Sequence, residues 1–389
     1  MPSAQEQTVE GNSSSSSSTT AAAAGRNDTT SGGGDVARGK DQPGTMFHAA
    51  KMGDADFIQS EILNGADVNA KDTNGESALM IASQHGHEEA VRWLALAGAR
   101  TEDADRTLGT TALMFACIGG HHKAVRELLA ARANVDVRFD SDGNGITPLM
   151  FAVQYCGVIR LGKKEPWARF GATVQELLRG GASVDLKDQK QRTALTFAAE
   201  LGHPEVTSWL LKAEADMEAS DENGTTPLMF ACRGGHAVAA LALLRAGADC
   251  SASTSKGSTP LHFAASAGCS PVMNQLLDKG APIDAKTEDG DTALSLAISS
   301  GSVGSVGFLV KAGADLDLVD KEGRSCLDLA AVMFTLFPEE GRQVIMHFLQ
   351  NNGATFKLID DEAIRVSHET VASLGVKTDS EGKYSVASL

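Results

Sequence analysis

One seven-residue phrase recurs along this chain and limits what it can fold into. It reads SALMIAS from Ser77, TALMFAC from Thr111, TPLMFAV from Thr147, TALTFAA from Thr193, TPLMFAC from Thr226, TPLHFAA from Thr259, TALSLAI from Thr292 and SCLDLAA from Ser325. Successive copies begin 34, 36, 46, 33, 33, 33 and 33 residues apart. A unit of about 33 residues cannot bury an apolar face alone, so neighbouring units must bury one another in a stacked array. The 389 residues would otherwise suggest two or three independent cores.

Each place in the phrase has a physical role. The leading Ser or Thr is suited to accept a hydrogen bond from an orphan amide as a helix N-cap. Pro148, Pro227 or Pro260 follows in three copies, at a first helical position where a missing N–H costs nothing. A leucine comes next in all eight copies (Leu79, Leu113, Leu149, Leu195, Leu228, Leu261, Leu294 and Leu327), and alanines after it allow close helix approach. In a degenerate first copy, Met46 is expected at the leucine place.

Gly86, Gly120, Gly202, Gly235, Gly268 and Gly301 stop the first helix, since glycine alone enters the left-handed region without a Cβ clash. A second helix closes on the pairs Leu128/Leu129, Leu177/Leu178, Leu210/Leu211, Leu243/Leu244 and Leu276/Leu277. A polar stretch with glycine near its tip then leads to the next copy as a β-turn finger. Three positions break the rule: Gln191 replaces a finger glycine, and Arg132 and Glu214 replace the glycine after the second helix.

The phrase TPLHFAA, the Gly-His after the first helix and the Gly-Ala-Asp before the finger resemble the ankyrin repeat. The resemblance implies an all-α ankyrin solenoid of about nine helix-turn-helix repeats with β-turn fingers over residues 45–355. It also implies protein partners held on a concave face and on the finger tips. Outside the array, 1–44 reads as a disordered Ser/Thr/Gly-rich tail, 356–375 as a further capping helix and 376–389 as a disordered tail.

Transferred residue by residue, the pattern marks Asn74, Glu76, Gln189, Lys190, Arg192, Glu222, Asn223, Glu288, Asp289, Asp291, Lys321 and Arg324 on the fingers. It marks Gln84, His85, Ile118, Gln154, Tyr155, Glu200, Leu201 and Arg233 on the inner helices. These vary while their framework is uniform. The fourth copy carries an insertion at about 157–172 with Arg160, Lys163, Lys164 and Arg169 against Glu165, in a chain of net charge −16. With Trp167 it reads either as a basic hot spot for a partner or as a solvated loop whose Trp167 and Phe170 fold back on the second helices.

The acidic balance opposes a phosphate backbone, so no nucleic acid is expected. No apolar run is long enough to span a membrane, and the first ten residues do not resemble a secretory or transit signal. Six scattered cysteines form no CxxC pair and read as reduced thiols in the cytoplasm or nucleus. His87, His121, His203 and His236 share one place in the repeat, which the resemblance assigns to backbone bonding, and neither they nor His85 and His122 suggest a metal. No nucleophile, phosphate-loop or zinc-hydrolase motif is present, so neither catalysis nor a cofactor is expected. Asn69 resembles a position hydroxylated in some ankyrin proteins, the alternative being a turn residue bonding its own backbone. The expected function is a monomeric, non-catalytic scaffold or adaptor, or else a regulatory subunit or inhibitor covering a partner enzyme.

Overall fold

A computed structural model describes residues 44–139, 144–156, 166–336, 340–357, 376–378 and 384–386. Among these, eighteen helices form nine consecutive pairs: α1 (Met46–Met52) with α2 (Ala55–Leu63), α3 (Ala78–His85) with α4 (Glu88–Leu96), and α5 (Ala112–Gly119) with α6 (His122–Ala130). The fourth to sixth pairs are α7 (Pro148–Tyr155) with α8 (Pro166–Arg179), α9 (Ala194–Glu200) with α10 (Pro204–Lys212), and α11 (Pro227–Arg233) with α12 (Ala237–Ala246). The last three are α13 (Pro260–Ser266) with α14 (Ser270–Asp278), α15 (Ala293–Ser299) with α16 (Val303–Lys311), and α17 (Cys326–Leu336) with α18 (Glu340–Asn351). First helices stack on first helices and second on second, so one apolar cluster runs from Phe47 to Ala354.

The phrase leucines are its axis: all eight are 2% exposed or less. Phe47, two residues past the N-cap Thr45 as Leu79 is past Ser77, takes that place in the first repeat, and Met46 does not. In the second-helix leucine pairs the first member is fully buried, whereas the second is half-buried except at Leu244. Ser77, Thr111, Thr147, Thr193, Thr292 and Ser325 cap their helices as expected, each accepting from the amide three residues on. Two caps depart. Thr259 bonds the His262 ring, and the buried Thr226 hydroxyl has no partner among the described residues.

The six stop glycines read from the sequence have φ between 66° and 74°, and Gly53, which ends α1, has 78°. Among the described residues only Arg132, Gln191 and Glu214 are non-glycine at positive φ, with values of 65°, 62° and 62°. They are the three substitutions the repeat pattern singles out.

The insertion is partly helix. α8 starts at Pro166, five residues before the place where the other second helices predict a start, because proline at the first helical position suits an N-terminus as well as it suits a loop. Residues 157–165 lie outside the described residues, as do the 1–43 tail and, from residue 358 onward, the expected capping helix. Within 376–389, read as disordered, Val376–Thr378 (β1) pairs antiparallel with Tyr384–Val386 (β2). The strands are too short for periodicity to announce them.

Candidate protein-binding surface

Two ladders fix where the fingers point. The first is backbone: the amides of Arg106, Gln189, Glu222, Ser255, Glu288 and Lys321 donate to the carbonyls of Asn74, Asn144, Lys190, Asn223, Lys256 and Asp289 at 2.8–3.2 Å. Each of these six fingers is thereby pinned to the one before it. Within a finger an acceptor side chain bonds the turn amides, as Asp72 does for Asn74 and Glu76, and Asp221 for Asn223 and Thr225.

The second ladder uses side chains. Asn69, Glu102, Asp136, Asp185, Glu218 and Asp284 accept from the amides of Arg100, Asn134, Ser183, Asp216, Asp249 and Asp315, each in the next repeat, at 2.8–3.0 Å. Asn69 therefore bonds the following repeat and not its own turn. Burial pushes the Glu218 carboxyl above the usual range, with neighbouring Asp249 and Asp216 adding to it and the bond from Asp249 opposing it. Sequence reasoning singled out Asn69 but missed the row, because its other members look like ordinary surface acids. Its signal was an acceptor two residues after the Gly-Ala-Asp place in repeat after repeat.

On this frame the marked residues separate. Asn74, Gln84, His85, Lys190, Glu222, Asn223 and Arg233 are exposed, and Ile118, Gln154, Tyr155, Arg192 and Glu200 are half-buried. Glu76 is buried, 8% exposed, beneath the finger that Asp72 closes, so it leaves the exposed row. Lys163 and Lys164 lie outside the described residues. Trp167 sits in the first turn of α8.

The structure brings three marked residues together across the fifth and sixth repeats. The Arg192 guanidinium lies 4.3 Å from the Phe197 ring centre and is held by Asp188 at 2.9 Å. Arg233 lies 4.6 Å from the Phe230 ring centre. Glu200 stands between them, 3.7 Å from Arg192 and 3.9 Å from Arg233. Stacking and pairing restrict both guanidiniums before any partner arrives, which lowers the ordering cost of binding.

The Gly-His positions serve the stack. His87, His121 and His236 place Nε2 on the carbonyls of Lys51, Gln84 and Glu200 at 2.9, 3.0 and 3.0 Å, so the imidazole joins one repeat to the preceding one. Their rings cover Gly53, Gly86 and Gly202, where a Cβ would collide with them. In the fourth repeat Phe170 takes that role, its ring 3.0 Å from where a Cβ on Gly120 would stand. Phe170 thus packs against the end of α5, while the side chain of Trp167 lies outside the described residues.

Burial pushes the Cys117 and Cys232 thiols far above their ordinary range, and Cys326 up to about 12, so these are packing residues and not nucleophiles. Among the described residues no group of three His, Cys, Asp or Glu side chains could hold a metal ion, and no helix is long and apolar enough to cross a membrane.

Comparison with known proteins agrees with this architecture. A relative, the ankyrin repeat domain-containing protein SAT10 of Stachybotrys chartarum, is 29% identical over 168 residues, which is 43% of this chain and 8% of that protein. The crystal structure of the human ASB11 ankyrin repeat domain shares the fold with a TM-score of 0.50 at 23% identity, covering 62% of this chain and 99% of that one. The family model for ankyrin repeats matches residues 45–138, 94–161, 167–254, 239–320 and 261–360. With nine helix pairs in register under that match, the chain belongs to the ankyrin-repeat family, a fold that generally mediates protein–protein interaction without catalysis.

Proposed function

We propose that this protein is a non-catalytic scaffold or adaptor that holds a partner protein along its inner helices and finger tips. The observation that carries the reading is the Arg192–Glu200–Arg233 group, two arginines stacked on phenylalanines and bridged by one carboxylate on the face the fingers share. Arginine is among the residue types enriched at binding hot spots, and pre-ordering raises what each contact contributes. The exposed Asn74, Gln84, His85, Lys190, Glu222 and Asn223 extend that face on either side. Cysteines that form no disulfide fit a reducing compartment, the cytoplasm or nucleus.

Affinity capture from a cell lysate, with the Arg192→Ala/Arg233→Ala double variant beside the wild type, tests the reading. Loss of the captured proteins with an unchanged melting temperature supports it, and identical capture by both refutes the assignment to this face. Several unrelated partners mark a scaffold. A single stoichiometric enzyme whose activity falls on binding marks the regulatory alternative.

A further inference from the structure

Between the fourth and fifth repeats the stack departs from its own pattern. His203 occupies the place of His87, His121 and His236, whose Nε2 atoms all meet a carbonyl of the preceding first helix. At the corresponding carbonyl position in the fourth repeat, seven residues past the N-cap, stands Gln154, but α7 runs on into Cys156 in a right-handed conformation, φ −57° and ψ −30°. The buried His203 Nε2 is left without a partner among the described residues.

Beside it opens a cavity of about 280 Å³ lined by Cys156, Gly171, His203, Glu205, Val206 and Trp209. Gly171 lets the Trp209 indole lean in, since a Cβ there would stand 3.0 Å from the ring. The volume falls just below the range of about 300–1,000 Å³ typical of small-molecule sites, which suits one side chain and not a cofactor.

The lining has one electrostatic sense. Glu205 carries a carboxylate at the mouth. Burial, with His236 nearby, lowers the His203 pKa and keeps the ring neutral, although Glu205 opposes this. A neutral imidazole with its proton on Nδ1 offers a lone pair at Nε2. Burial, reinforced by Glu205, pushes the Cys156 thiol up to about 11, so it adds no second charge. The Trp209 face attracts cations as well.

We propose that this cavity receives one arginine side chain projected by a partner protein. The guanidinium pairs with Glu205, donates to His203 Nε2 and stacks on Trp209, while its methylenes lie against Val206. A planar fork fulfils all three polar roles at once, which an ammonium does not. The proposal rests on the reading of the chain as a protein-binding array and adds a site at the helix-turn edge, opposite the fingers.

The test uses the full chain with indole-¹⁵N tryptophan and titrates N-acetyl-arginine amide, with N-acetyl-citrulline amide as the uncharged isostere and N-acetyl-leucine amide as the apolar control. The Trp209 indole resonance is assigned with Trp209→Phe. It should shift saturably with the arginine amide alone, and Glu205→Gln, a change at an exposed residue, should weaken binding at least about fivefold. No saturable shift in the wild type overturns the proposal, whether water or the chain's own basic residues fill the cavity. So does an equal response to the citrulline or leucine amide, or binding that Glu205→Gln leaves unchanged. None of these outcomes depends on the lysate capture, so this site can fail while the array's partner-binding role stands.

Discussion

Replacing Arg132, Gln191 and Glu214 together by glycine should raise the stability of the array. Each residue holds φ between 62° and 65° with an exposed side chain, while every other left-handed residue described is glycine. A non-glycine residue in that region costs about 1–2 kcal/mol through the contact of Cβ with the following carbonyl oxygen. Glycine gives back about 0.4–1 kcal/mol through the extra freedom of the unfolded chain. The net gain is about 0.5–1 kcal/mol per site. The three positions lie in separate turns, so the gains should add to about 1.5–3 kcal/mol. An unfolding entropy of about 2.1 cal/mol/K per residue over residues 45–355 gives about 0.65 kcal/mol per degree, so Tm should rise by about 2–5 °C. Circular dichroism at 222 nm during thermal and urea unfolding reads this directly. A triple variant that melts at or below the wild type would refute the claim that these turns store backbone strain.

Leu228→Ala or Leu261→Ala, at side chains 1% exposed or less, should cost about 2–5 kcal/mol, and an unchanged melting temperature would contradict the stacked core. Titration of the native protein with a thiol-reactive disulfide should find Cys250 and Cys269 reactive and Cys117 and Cys232 silent until denaturant is added; rapid native reaction of the latter pair would overturn their burial. At Asp105 burial disfavours the carboxylate, but the Thr107 hydroxyl and the amides of Thr110, Leu108 and Thr107 outweigh it and hold the pKa below the ordinary range. The stability it adds is present above the unfolded-state value near about 3.9 and is lost as pH falls through the folded one. Asp105→Ala should therefore lower Tm at pH 7 and lose less between pH 7 and pH 3 than the wild type, and an equal loss would show that Asp105 is not a source of acid sensitivity.

What the sequence made legible is what the stack demands at every step. A leucine facing its counterpart, a glycine where the chain must turn left and a hydroxyl over an open helix end recur because the geometry recurs. The same logic found the three strained turns. It could not reach contacts made between repeats by residues that look ordinary within one. The carboxylate ladder joins residues 31 apart in most repeats, and Phe170 replaces a histidine only once the extended α8 is in view. Glu76 fails as an exposed residue for a related reason. Its neighbour Asn74 is carried outward by the finger while the Asp72 turn folds Glu76 inward, a distinction of two residues that a periodic pattern does not resolve.

The ladder shows how such couplings can be read once the stack is known. At the step where the donor would be residue 282, proline supplies no N–H, and the acceptor position of the preceding repeat holds Ser251, which bonds Asp249 within its own turn instead. Donor and acceptor are absent together, so the pairing belongs to the junction between repeats and not to the repeat itself. The framework is least regular over residues 155–233: a right-handed helix end at Cys156, an aromatic in a histidine's place, an imidazole without its carbonyl and a strained finger at Gln191 share that stretch with the stacked arginines. A partner that distinguishes this array from another with the same leucines and glycines has to read residues the stack leaves unfixed, and the largest group of them lies in that stretch.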